Sequence, residues 1–223
     1  MQPLPQPGHV TSTPPSIPRP AHQPASARAS KDTESLTLAV AGDALYDRAC
    51  LLSSEQYRRH FDCDLQHFYP QYLCLERNGR LLGVCGYRNA LGPLYLEQYL
   101  DAPVETLLTE RCESVIERQS IVEVGGFALS KRALALYFMA SLAPAFQQLG
   151  FTHAVCTATL PVRRCLRSLA IPSKHLGKAL AERIVESDTD WGNYYVQRPA
   201  VIGGAIAATS ARVEDLLPDV ATL

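Results

Sequence analysis

Apolar and polar positions along the chain sketch an alternation of strands and helices. Leu36-Thr-Leu-Ala-Val40 reads as a first strand, closed by Gly42-Asp43. From Asp43 to Cys63 the residues Leu45, Cys50, Leu51 and Tyr57 recur at helical spacing. Ser53-Ser-Glu-Gln56 has the form of a capping box, so a second helix is expected to restart there. Gln71 to Arg77 and Arg80 to Arg88 form a predicted hairpin around Asn78-Gly79, a pair suited to a tight two-residue turn. Leu94 to Tyr99 reads as a short strand, and Pro103 opens a helix to Arg111. Ser120 to Leu129 is an apolar strand, and Ser130 is placed to cap a helix from Lys131 to Leu149 that stops at Gly150. Phe151 to Thr157 has hardly any polar face and is expected to be a strand buried on both sides. A helix Val162–Leu169 opened by Pro161, a helix near Lys178–Val185 and an extended piece around Ala200–Ala207 complete the pattern.

This order predicts an α/β fold: a mixed, mostly antiparallel central sheet flanked by helices, with a βαβ unit over Ser120–Thr157 at its centre. The longest apolar run, Ala133 to Phe146, is broken by Ser141 and Pro144 and suits a core helix better than a membrane span.

Composition sharpens the picture at the N-terminus. Eight of the sixteen prolines (Pro3, Pro5, Pro7, Pro14, Pro15, Pro18, Pro20 and Pro24) fall in residues 1–35, among Ser, Thr, Gln and Ala. Such a segment buries too little apolar surface to offset its ordering entropy, so residues 1–35 are expected to be a disordered tail. Residues 36–223 are expected to fold as one domain. The net charge of −1 offers no basic field for nucleic acid and no polybasic patch for anionic lipid. Seven cysteines without CxxC spacing, most of them inside apolar runs, fit buried thiols in a reducing compartment. The six histidines show no metal-ligand spacing. With no signal-peptide pattern the expected location is the cytoplasm, without stable membrane insertion.

Several blocks carry a family resemblance: Phe68-Tyr-Pro70, Tyr87-Arg-Asn-Ala90, Leu96-Glu-Gln-Tyr-Leu-Asp-Ala-Pro103, Ile121-Val-Glu-Val-Gly-Gly-Phe-Ala128, and Trp191-Gly-Asn-Tyr-Tyr195 followed by Pro199 and Gly203. In order and spacing they resemble the thermostable-hemolysin family over about Tyr57 to Ile206. The resemblance implies the acetyltransferase-like (GNAT) fold, whose members move acyl groups from a thioester to an amine. It also implies a distant kinship with acyl-homoserine-lactone synthases. Where those carry Glu-x-Ser-Arg-Phe on a strand, this chain has Glu123-Val-Gly-Gly-Phe127, with Gly125 and Gly126 in place of Ser and Arg.

The resemblance implies an acyl-CoA or acyl-carrier-protein thioester as donor and a small amine as acceptor; from the histidine spacing, no metal is expected. Its phosphate loop would be Ala128-Leu-Ser-Lys-Arg132, with Ser130, Lys131 and Arg132 as cofactor residues, but the superfamily's glycine pattern is missing there. Gly125, Gly126 and Phe127 would pair with the pantetheine arm; a bulge made for packing is the alternative. Glu123 interrupts an apolar strand and is the candidate general base, unless it serves only as an ion pair with Arg88 or Arg118.

Glu97 and Tyr99 are further catalytic candidates, expected on one strand face with Gln98 on the other. Arg88, Gln98, Trp191, Tyr194 and Tyr195 are candidate substrate contacts, the last three either closing a pocket or pinning the C-terminal segment. Leu166 stands where many GNAT enzymes place a tyrosine acid, which leaves Tyr99, Tyr194, Tyr195 or water for that role. The alternatives to an acyltransferase are a membrane-active cytolysin and a non-catalytic acyl-binding scaffold.

Overall fold

In the computed structural model, which describes residues 34–184 and 189–209, seven strands form one sheet in the order β1-β2-β3-β4-β5-β7-β6. They are β1 (Glu34–Val40), β2 (Gln71–Arg77), β3 (Arg80–Asn89), β4 (Ile121–Leu129), β5 (His153–Ala158), β6 (Lys174–Lys178) and β7 (Ala200–Ala205). Only β4 and β5 pair in parallel, joined through a helix, so the expected mixed sheet with a central βαβ unit is present. The proline-rich tail lies outside the described residues except for Glu34 and Ser35, which belong to β1.

Local chemistry explains the framework. Asn78 and Gly79 both adopt left-handed φ (53° and 73°), which gives the β2–β3 hairpin a turn matched to strand twist. Helix α1 (Ala44–Phe61) and helix α2 (Val104–Cys112) cover one face of the sheet, through Ala49 on Tyr72 and Cys74, and through Val104 and Leu108 on Ile121 and Val155. Helix α3 (Ala135–Gln148) and helix α4 (Leu160–Ser168) cover the other, packing Phe138, Leu142 and Phe146 on Leu73, Tyr87, Val122 and Val124. Alternation along β4 therefore sends Val122 and Val124 toward α3, and Ile121, Glu123 and Gly125 toward α1 and α2.

Four expectations need correction. The helix over 44–61 is continuous: Ser53 is buried in mid-helix, and its hydroxyl donates to the Gly126 carbonyl at 3.3 Å instead of capping a new start. Ser130 does not cap α3; its N–H donates to the Leu82 carbonyl, and a 3-10 turn over Arg132–Leu134 precedes the helix. The stretch near Lys178 is strand β6 and a 3-10 turn over Ala181–Arg183, while 185 lies outside the described residues. Leu94–Tyr99 is no strand. Residues Tyr95–Tyr99 form a 3-10 helix that buries Leu96 and Tyr99, three residues apart and so on one face.

Candidate functional site

Pairing between β4 and β5 covers only Ile121–Val124 against His153–Cys156, after which the strands separate. At that point β4 also bulges. Val84 faces Ala128 and Gly86 faces Gly125, so β4 uses three residues where β3 uses two, and Gly126 takes up the extra length at φ +56°. On the α1 face, the separation opens into a cleft of about 740 Å³ counted to its mouth.

The cleft is walled by aromatic side chains from distant parts of the chain. Tyr57 comes from α1, Tyr69 and Tyr72 from the approach to β2 and from β2 itself, Tyr95 and Tyr99 from the 3-10 helix, and Trp191 and Tyr194 from the segment before β7. Six of the ten tyrosines and the single tryptophan line it, and no phenylalanine does. Rings with a polar edge are what a partly polar ligand requires.

Glu123 forms the floor and is 2% exposed. Its Oε2 and Oε1 accept from the backbone N–H groups of Tyr95 and Leu96, both at 3.1 Å. These are donors that the first turn of a 3-10 helix leaves without an internal partner. The Arg88 Nε lies 3.5 Å from Oε2, and the guanidinium carbon sits 4.9 Å from the centroid of the Tyr69 ring. Burial raises the Glu123 carboxyl above the ordinary carboxylate range, while Arg88 and the two N–H groups pull the other way.

Tyr69 can lie on the sheet because two residues beneath it lack side chains. A Cβ on Gly86 would come within 2.6 Å of the ring's Cγ, and one on Gly125 would fall on the hydroxyl oxygen. The Gly125 gap is thus filled by this ring, while Gly125 and Gly126 also belong to the cleft lining.

Tyr194 donates from its hydroxyl to the Thr157 carbonyl at 3.2 Å, beside the strand separation. Tyr195 lies outside the cleft lining and shares a 2.8 Å hydrogen bond with the Tyr99 hydroxyl. Trp191 lines the cleft with its indole N–H buried and without a hydrogen-bond partner among the described residues. The Trp191–Tyr195 segment both pins and lines. Asn193 donates its N–H to the Phe61 carbonyl at the end of α1, and a Cβ on Gly192 would strike the Phe61 and Asp62 carbonyl oxygens.

Other candidates fall elsewhere. Glu97 is outside the cleft lining, and its oxygens are fully engaged. Arg118 binds it with two bonds at 2.6 and 2.7 Å, and the N–H groups of Leu94 and Val104 donate to it at 3.1 Å. Hydrogen bonding from Arg118 lowers the Glu97 carboxyl to about 2. Glu97 is an anion that joins the 3-10 helix to the start of α2, which replaces the catalytic expectation for it. Gln98 points away as well, its amide donating to the Tyr95 carbonyl. Phe127 lines a separate apolar hollow on the far face. Lys131 and Arg132 are exposed, and in their connection the N–H groups of Ser130 and Leu134 already have carbonyl partners. This leaves a poorer phosphate cradle than a free helix start would offer.

Sequence reasoning missed Tyr57, Tyr95 and Thr157. For Tyr69 the signal was present in Phe68-Tyr-Pro70 and in glycines on two strands that turn out to be adjacent.

Solved structures with this fold include the AHL synthase LasI (15% identity, 82% of this chain and 96% of that one, TM-score 0.54). A CoA-dependent acyl-homoserine lactone synthase, BjaI, solved with SAM and isopentyl-CoA, matches at 14% identity over 83% and 90% of the two chains, TM-score 0.56. FeeM, an N-acyl amino acid synthase from uncultured soil microbes, matches at 15% identity over 81% and 95%, TM-score 0.53. The architecture is therefore the GNAT-like fold that these synthases share. By sequence, the Thermostable hemolysin family model matches residues 41–210, and the chain belongs to that family. No curated protein matches it.

Proposed function

We propose that the cleft carries out acyl transfer from a thioester to a small amine. The observation that carries this reading is a buried carboxylate, Glu123, on the floor of an aromatic cleft where two parallel strands part. A thioester carbonyl lodged at the parting would present its carbon to an amine held above Glu123. The carboxylate, lifted by burial toward the working pH, takes the amine's proton. Arg88 holds that carboxylate in place, and the Tyr194 hydroxyl, at the parting, would turn its one hydrogen from the Thr157 carbonyl to the departing sulfur. The fold is shared with synthases described as working on acyl-CoA with SAM or making N-acyl amino acids, which makes amino acids and SAM the first acceptors to try.

The test is thiol release by the purified chain from acyl-CoA and acyl-carrier-protein thioesters in the presence of an amine panel. Release that depends on the amine and falls about 10²-fold or more in Glu123→Gln is expected. Release unaffected by that substitution would remove Glu123 from the chemistry.

A second reading, lysis of membranes by the protein itself, is favoured by the family's description. Among the described residues no helix is long and apolar enough to cross a membrane. Lysis by the pure protein without any donor, and no thiol release, would favour that reading over acyl transfer.

A further inference from the structure

On the opposite face of the sheet, beneath α3 and α4, lies a second hollow of about 660 Å³ counted to its mouth. Val124, Met139, Phe146, Val162 and Leu166 are among its walls, and no charged side chain of the described residues lines it. Cys156 contributes a thiol that burial pushes up to about 12, so it stays neutral there. An apolar hollow of this kind in a packed core forgoes contacts that a ligand can restore.

The two hollows meet at β4 and β5. Val124 lines both, and it is the last β4 residue paired with β5. Thr157, the next residue after Cys156, lines the aromatic cleft while Cys156 lines the apolar hollow. A carbonyl lodged at the parting would thus have an aromatic chamber carrying Glu123 and Arg88 on one side and a hydrocarbon chamber on the other. Leu166 continues the hydrocarbon lining.

We propose that the hollow beneath α3 and α4 seats a medium or long hydrocarbon chain of the thioester donor, so that the amide product is a single-chain amphiphile and lysis is a property of that product. The inference rests on the acyl-transfer reading. The amine nitrogen attacks the thioester carbonyl, and the C–N bond forms as the C–S bond breaks. The amine's proton passes by way of Glu123 to the released thiolate. A hydrocarbon tail amide-linked to a polar head partitions into membranes in proportion to its methylenes. Unlike a folded chain it survives heating, which gives a chemical meaning to both words of the family's description.

The purified chain is incubated with acetyl, octanoyl and dodecanoyl thioesters of CoA and of carrier protein, plus amino acids and SAM. The mixtures are then boiled, extracted and assayed on erythrocytes. The dodecanoyl extract is expected to lyse, and the acetyl extract and the protein alone are not. In parallel, a fluorescent fatty acid is titrated into the wild type and into Val162→Phe and Leu166→Phe. Apparent donor affinity is expected to rise roughly fourfold per methylene in the wild type. Each plug should weaken the fatty-acid probe at least tenfold.

Equal thiol release from acetyl and dodecanoyl donors, with no probe bound, would keep acyl transfer and overturn the chain site. Probe binding that the plugs block, without thiol release from any donor, would overturn the acyl-transfer reading and the amphiphile with it. Lytic activity that boiling destroys would return lysis to the protein.

Discussion

Glu123 and Glu97 are two carboxylates in neighbouring structure with opposite electrostatic fates. Burial dominates at Glu123 and raises its folded-state pKa. A base must be ionised, so the acid limb of kcat/KM is expected to fall at a pH above the ordinary carboxylate value, as a pH–rate profile would show. The linkage has a matching sign. Stability from this group is fully present below the unfolded pKa and declines as pH rises through the folded one. At Glu97 the Arg118 hydrogen bonds dominate and lower the pKa to about 2, so its contribution is present above the unfolded value and is lost as pH falls toward 2. Glu97→Gln is expected to cost about 2–3 kcal/mol in urea unfolding at neutral pH, since it weakens hydrogen bonds to a charged group. Acyl transfer by the folded fraction should persist. Loss of transfer in a fully folded Glu97→Gln would restore Glu97 to the chemistry. The sequence exposed both carboxylates, because each interrupts an apolar run. Arg88 was one of the two partners expected for Glu123, and it lies beside it, but the N–H donors to Glu123, 28 and 27 positions away, and the Arg118 pair of Glu97, 21 positions away, were not legible.

At the scale of elements, the aromatic ring of Tyr69 laid across β3 and β4 makes a prediction that separates two glycines. In Gly86→Ala the new methyl meets the Tyr69 ring near its root, where the side chain has little room to swing. In Gly125→Ala it meets the hydroxyl tip, which moves more cheaply. Overpacking of this kind costs about 1–3 kcal/mol, and Gly86→Ala is expected at the upper end with Gly125→Ala at the lower. Both penalties should shrink in a Tyr69→Ala background, and a double-mutant cycle in denaturant would measure that coupling. Equal costs in both backgrounds would mean that the ring does not set these positions. All the strands except β6, the Asn78-Gly79 hairpin and the central βαβ unit were legible because their signals are local. Leu94–Tyr99 was not. Its alternating Leu94 and Leu96 imitate a strand, but Glu97 closes the turn on the Leu94 N–H, and Glu123 accepts from the next two N–H groups.

The sheet acts as a partition between an aromatic cleft with polar groups and an apolar hollow, both lined by Val124 where β4 and β5 part. Neither chamber could be read from the chain directly, since Tyr57, Tyr95 and Tyr194 converge only after α1, the 3-10 helix and the segment before β7 pack together. That last segment is fastened at Gly192. Gly192→Ala would drive a methyl into two carbonyl oxygens at the end of α1, and should raise the acceptor KM several-fold by shifting Trp191 and Tyr194. An unchanged KM would show that the aromatic wall does not grip the acceptor. The same wall also makes the protein its own optical probe. Its single tryptophan sits in the cleft with a buried indole N–H that has no partner among the described residues. Emission excited in the far-red edge of the indole band therefore comes from one site, and its wavelength and quenching by acrylamide report filling of that chamber without any label.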